Sequence, residues 1–155
     1  MEVRYTEAGI HLPAIDLWLD PAVDREAAWL SHAHADHARG AHGTVYGTPE
    51  TLAIHALRNE SEGTRGRHVP LRYGESVERN GATLRALPAS HVLGAAQLLV
   101  EFEGERLIYT GDIRLRPPIC GASTELSRCD HLIVESTFGL PIFHLDRKST
   151  RLNSS

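Results

Sequence analysis

The sequence predicts a mixed α/β domain in which short strands dominate and carry polar chemistry at their ends. Three observations predict it. Short apolar or alternating runs recur along the chain and are closed by turn residues. Only one stretch carries a clear helix start. Several runs deliver the chain directly into His, Asp or Glu, as sheet scaffolds do when they present a site. At 155 residues, 41% hydrophobic and 23% charged, the chain has the composition of an ordinary globular protein and the length of one domain with a substantial core.

In chain order, residues 15–21 (IDLWLDP) alternate well enough for a strand, which Asp20-Pro21 closes. The apolar run AAWLSH leads into the segment SHAHADHARG. Residues 48–59 (TPETLAIHALRN) predict a helix, with Thr48 as N-cap, Pro49 at the first helical position and Leu52, Ile54, Ala56 and Leu57 as its apolar residues. An Arg- and Gly-containing stretch, RNESEGTRGRH, reads as a solvated loop. ATLRALPASH and AQLLVEFEGERLIYTGD predict strands, the second a hairpin turning at Glu103-Gly104-Glu105. HLIVESTFG predicts another buried strand. The final DRKSTRLNSS is polar and aperiodic and holds the only lysine, against fifteen arginines. We therefore expect a domain over residues 1–145 and a non-native or disordered tail over 146–155.

Other classes are disfavoured. No run approaches a membrane span, and MEVRYTEAGIHLP lacks the basic start and apolar stretch of a signal peptide. A cytoplasmic protein without a membrane partner is the expectation. Cys120 and Cys129 form no CxxC pair and are expected to be reduced structural thiols. The net charge of −4 gives no global basic footprint for nucleic acid, although arginines can still cluster locally.

The chemistry concentrates between His32 and His37. In an extended segment His32 and His34 point the same way, so two imidazoles can chelate one ion. Asp36 and His37 follow as the chain turns into a short helix and can face a neighbouring position. H-x-H-x-D-H thus suits two adjacent metals. His91, in PASHVLGA, and Asp112, at the end of RLIYTGD, are further candidate ligands at strand ends. Gly94 and Ala95 leave room for close backbone approach, and Gly111 permits a tight turn. His11, His42, His55, His68, His131 and His144 fit no ligand spacing and are expected to be structural or exposed. Ser136 and Thr137 have no base at a recognisable spacing. Arg114 and Arg116 can meet phosphates or simply mark an exposed strand exit.

Together these motifs resemble the metallo-β-lactamase fold superfamily. The resemblance implies an αββα sandwich with metals at one edge. It assigns His32, His34 and His91 to one zinc and Asp36 and His37 to a second, with Asp112 bridging both. Asp20 would orient ligands rather than bind metal. The stretches SHVLGAAQLLVEFEGERLIYTGDIRLRP and DHLIVESTFG are similar to the β-CASP nucleases, bacterial exonuclease-like members above all, in which Glu135 matches the carboxylate of an acidic motif. That implies a zinc-dependent phosphodiesterase acting on DNA or RNA by a hydroxide held between the zincs. Asp36 would help to orient this nucleophile, and in the intact family Glu135 would support a histidine from the region missing here, which protonates the leaving oxygen. It also implies that this chain is a fragment. It would lack the β-CASP insertion and the C-terminal part of the fold, with a complete first zinc site, an incomplete second one and poor activity. A small-molecule metallo-hydrolase, of the thioesterase or glyoxalase II kind, and a non-catalytic nucleic-acid-binding relative are the alternatives.

Overall fold

The computed structural model describes residues 1–59, 66–116, 118 and 122–137. Their strands form two sheets. The first has six strands in chain order: β1 (Arg4–Thr6), β2 (Gly9–Leu12), β3 (Leu17–Leu19), β4 (Ala27–Trp29), β5 (Thr44–Gly47) and β6 (Arg67–Pro70). The first three pair antiparallel, and β3 through β6 run parallel. The second sheet comprises β7 (Ser76–Arg79), β8 (Ala82–Pro88), β9 (Ala96–Phe102), β10 (Glu105–Tyr109) and β11 (His131–Ile133), ordered β11-β10-β9-β8-β7. It is antiparallel apart from the β10–β11 pair.

The sheets pack face to face. Leu17, Leu19, Trp29 and Tyr46 of the first meet Leu84, Leu98, Val100 and Leu107 of the second in one buried cluster. The opposite face of the first sheet is covered by the helix α1 (Pro49–Asn59), whose Leu52 packs with Leu30, Ala38 and Val45. The middle of this sheet is therefore buried on both sides, which is why β4 is the unbroken apolar run Ala-Ala-Trp. Burying a side chain the size of Leu84 contributes about 1.5–3 kcal/mol. Two β layers with α1 against one of them make a mixed α/β sandwich, and α1 is the sole α-helix among the described residues. None of these residues forms a helix long and apolar enough to cross a membrane.

The expected elements are present with adjusted limits. Helix α1 begins at Pro49, with the amide of Thr51 donating to Thr48 Oγ1 (3.3 Å). The β9–β10 hairpin closes through Glu103 and Gly104, both in the left-handed region, as a two-residue turn requires. The strand expected over residues 15–21 is shorter. Pro13–Ile15 is a 3-10 turn and only Leu17–Leu19 pairs. The strand expected in HLIVESTFG is three residues long and not uniformly buried. It lies at the sheet edge, where Ile133 turns inward while Leu132 and Val134 are 58% and 55% exposed. The expected short helix at Asp36–His37 is a single turn, in which the amides of His37 and Ala38 both donate to the His34 carbonyl. Cys120, His144 and the tail lie outside the described residues, as does most of the Arg/Gly loop.

Candidate metal centre

Strand pairing carries the chemistry to one edge of the sandwich. β3 and β4 run parallel, so Asp20 and the segment that starts at Ser31 leave the first sheet at the same end, and the Asp20 amide donates to the Trp29 carbonyl (2.9 Å). In the second sheet β8 and β10 both run antiparallel to β9, so the exits toward His91 and Asp112 also share an end. The two ends are tied where the Ala96 amide donates to the Ser31 carbonyl (2.8 Å).

Four donors converge there. His32 Nε2 lies 2.9 Å from His34 Nδ1, and His91 Nε2 lies 3.3 Å from the same atom. Asp112 Oδ2 is 3.4 Å from His91 Nε2 and 3.8 Å from His32 Nε2. One donor atom from each of the four residues lies within 4.8 Å of the others. A tetrahedral zinc with bonds near 2.1 Å holds its ligand atoms roughly 3.4 Å apart. Three imidazole nitrogens and a carboxylate oxygen at these separations therefore fit a zinc-type ion. His32 is fully buried, and burial holds its pKa down at about 4, so it stays in the neutral form that ligates metal.

The other Asp112 oxygen faces elsewhere. Oδ1 is 3.5 Å from His37 Nε2, which also lies 3.8 Å from Asp36 Oδ2. The Asp36 side chain is 71% exposed, and its own backbone hydrogen bond keeps its pKa below the ordinary carboxylate value. Asp36 stands at the rim beside His37, outside the converging donor groups. On the far side of the His37 ring, Nδ1 donates to Asp20 Oδ2 (2.7 Å), and this bond raises the pKa of His37. Asp20 also accepts from the Ser31 amide (2.7 Å), the Ser31 hydroxyl (2.5 Å) and the Tyr109 hydroxyl (2.8 Å). Asp20, His32 and His37 form a second group of neighbouring donor atoms. The carboxylate of Asp20 is nevertheless occupied by four protein hydrogens. Burial and the adjacent Asp20 push the Tyr109 pKa well above its ordinary value, so its hydroxyl keeps its proton and donates.

Glu135 is not among the converging donors. It lines a cavity of about 370 Å³ with His37, Tyr109, Gly111 and Asp112. Its Oε2 accepts from the Thr137 amide (3.0 Å), and hydrogen bonding from Thr137 lowers its pKa. The remaining described histidines lie apart. His11 stacks on Trp18, His55 on the buried face of α1 stacks with buried His42, His68 lies beside His55, and His131 meets Glu105. Cys129 is a free, half-buried thiol. Sequence reasoning missed Ser31 and Tyr109. Neither belongs to a ligand pattern, and their contacts with Asp20 join positions 11 and 89 residues apart.

Fold and donor set together define a two-sheet α/β sandwich with a cluster of potential metal donors at its edge. Residues 8–138 match the metallo-beta-lactamase superfamily, and the chain belongs to that superfamily. It is similar to a probable DNA ligase of Opitutus terrae, at 36% identity over 90% of this chain and 14% of that protein. It is also similar to cleavage and polyadenylation specificity factor subunit 3 of Dictyostelium discoideum, at 27% identity over 86% of this chain and 21% of the relative. A third similarity is to the endoribonuclease YSH1 of Candida glabrata, 37% identical over 52% of this chain and 11% of that protein. The chain thus spans about a fifth or less of the length of these relatives.

Proposed function

We propose that this chain carries the metal-binding part of a zinc-dependent nuclease of the β-CASP group, one that hydrolyses phosphodiester bonds of DNA or RNA exonucleolytically. The observation that carries the reading is the division of Asp112, with Oδ2 toward His32 and His91 and Oδ1 toward His37. A carboxylate set between two imidazole groups suits two neighbouring ions, the pairing that phosphodiester hydrolysis uses. Relatives named for RNA cleavage and DNA ligation support nucleic acid as the substrate class.

In this reading His32, His34 and His91 would hold one ion, Asp36 and His37 would hold the other, and Asp112 would contribute to both. Zinc would supply Lewis-acid chemistry, polarising phosphoryl oxygens and acidifying water. Asp36, exposed at the rim beside His37, would orient the attacking water. Asp20 holds His37 by Nδ1 so that Nε2 faces Asp112. Glu135, at the edge of the adjoining cavity, would support a leaving-group histidine contributed by the β-CASP region outside this chain.

The test is cleavage of end-labelled single-stranded DNA and RNA by the full-length protein, alongside its zinc content. His34→Ala removes the nitrogen that both His32 and His91 approach, and is expected to lower cleavage by about 100-fold or more together with bound zinc. A full-length protein without metal sinks the reading. Hydrolysis of small thioesters with no action on nucleic acid moves the assignment to a small-molecule hydrolase.

A further inference from the structure

Ser31 is 1% exposed, and every polar atom it carries is engaged across the junction of the two sheets. Its amide donates to Asp20 Oδ1 (2.7 Å) and its carbonyl accepts from Ala96 (2.8 Å). Its hydroxyl lies 2.5 Å from Asp20 Oδ2 and 3.0 Å from His32 Nδ1. A hydroxyl has one hydrogen. The carboxylate can only accept, so that hydrogen goes to Asp20. Ser31 Oγ is left as an acceptor toward His32, and Nδ1 of the imidazole must carry the proton. The Nε2 lone pair then points at His34 and Asp112.

We infer that Ser31 is a positioning residue that selects the His32 tautomer and thereby makes Nε2 available to a metal ion. Asp20 sets the direction of the Ser31 hydroxyl and, through the same Oδ2, holds His37. One buried carboxylate thus orients an imidazole on each side of Asp112, directly for His37 and through Ser31 for His32. Space for the hydroxyl depends on Gly111. A Cβ there would come within 2.5 Å of both Ser31 Cβ and Oγ, so the residue preceding Asp112 must be glycine for Ser31 to stand between Asp20 and His32. The inference rests on the metal reading above for its consequence, and on hydrogen-bond chemistry alone for the tautomer.

The experiment uses the metal-free chain and long-range proton–nitrogen NMR correlation of its imidazoles, followed by Zn²⁺ titration against a chromogenic chelator. Wild-type His32 is expected as the Nδ1–H tautomer. Ser31→Ala should shift His32 toward Nε2–H and weaken Zn²⁺ binding by about 10–100-fold. Tyr109→Phe, which removes a donor to Asp20 but leaves the Ser31–His32 bond, should leave the His32 tautomer as it is. Wild-type His32 protonated on Nε2 overturns the inference without recourse to any variant. So does a Ser31→Ala chain whose tautomer and Zn²⁺ affinity both match wild type. A wild-type chain that takes up no Zn²⁺ but shows the Nδ1–H tautomer overturns the metal reading and the affinity consequence, and leaves the tautomer assignment standing.

Discussion

Asp20→Asn tests the site where its hydrogen bonds are densest. Three donors meet Oδ2, the Ser31 hydroxyl, His37 Nδ1 and the Tyr109 hydroxyl, while the Ser31 amide alone meets Oδ1. The carboxamide can keep the larger set by placing its oxygen at the Oδ2 position. Its NH₂ group then faces the Ser31 N–H, donor against donor, and a buried amide goes unsatisfied. That costs about 1–3 kcal/mol. At this chain length each kcal/mol moves the melting temperature by about 2–4 °C, so a fall of roughly 2–12 °C is expected. His37 also loses the charge that favours a proton on Nδ1, and losing such a partner lowers metal affinity by about 10–100-fold. Thermal unfolding followed by circular dichroism in excess chelator reads the first effect, and Zn²⁺ titration of the refolded protein reads the second. A variant that melts with wild type and binds Zn²⁺ equally would show that Asp20 is not the hub these distances describe.

Two further outcomes follow from the packing around the site. Gly94 has φ +76°, and a Cβ there would lie 2.8 Å from Thr48 Oγ1 and 2.9 Å from Glu50 Cβ. Gly94→Ala should therefore cost about 1–3 kcal/mol in urea unfolding and loosen the loop that carries His91, and an unchanged midpoint would contradict the close approach. His42 is buried, and desolvation lowers its pKa from 6.5. A folded-state pKa below the unfolded one means stability that is present above pH 6.5 and is lost as the pH falls through the folded value. The slope from one such group is at most about 1.4 kcal/mol per pH unit. His42→Gln, compared with wild type by chemical denaturation on both sides of pH 6.5, should show a shallower loss, and parallel curves would refute the buried neutral imidazole.

Much of this site was legible because its signals are local. Period-two geometry sends His32 and His34 to one side whatever surrounds them, and Pro49 after Thr48 starts a helix through short-range hydrogen bonding alone. His91 and Asp112 could be singled out because each follows an apolar run and precedes turn residues. The limits of β3 and β11 were not readable, since a short apolar segment does not say which neighbour will pair with it or whether it will lie at an edge. Leu132 and Val134 look like core residues in the sequence, yet they alternate with the inward-facing Ile133 on an edge strand and stand exposed.

The sequence by itself determined the donor types, their spacing within His32–His37 and the α/β character, because each depends on residues a few positions apart. The tertiary structure alone decided which atoms of those residues meet. It turned the two oxygens of Asp112 toward different imidazoles, and it brought Ser31 and Tyr109 onto Asp20 across 11 and 89 residues. Such contacts are set by how two sheets stack and where their strand ends coincide. No periodicity along one strand contains that information.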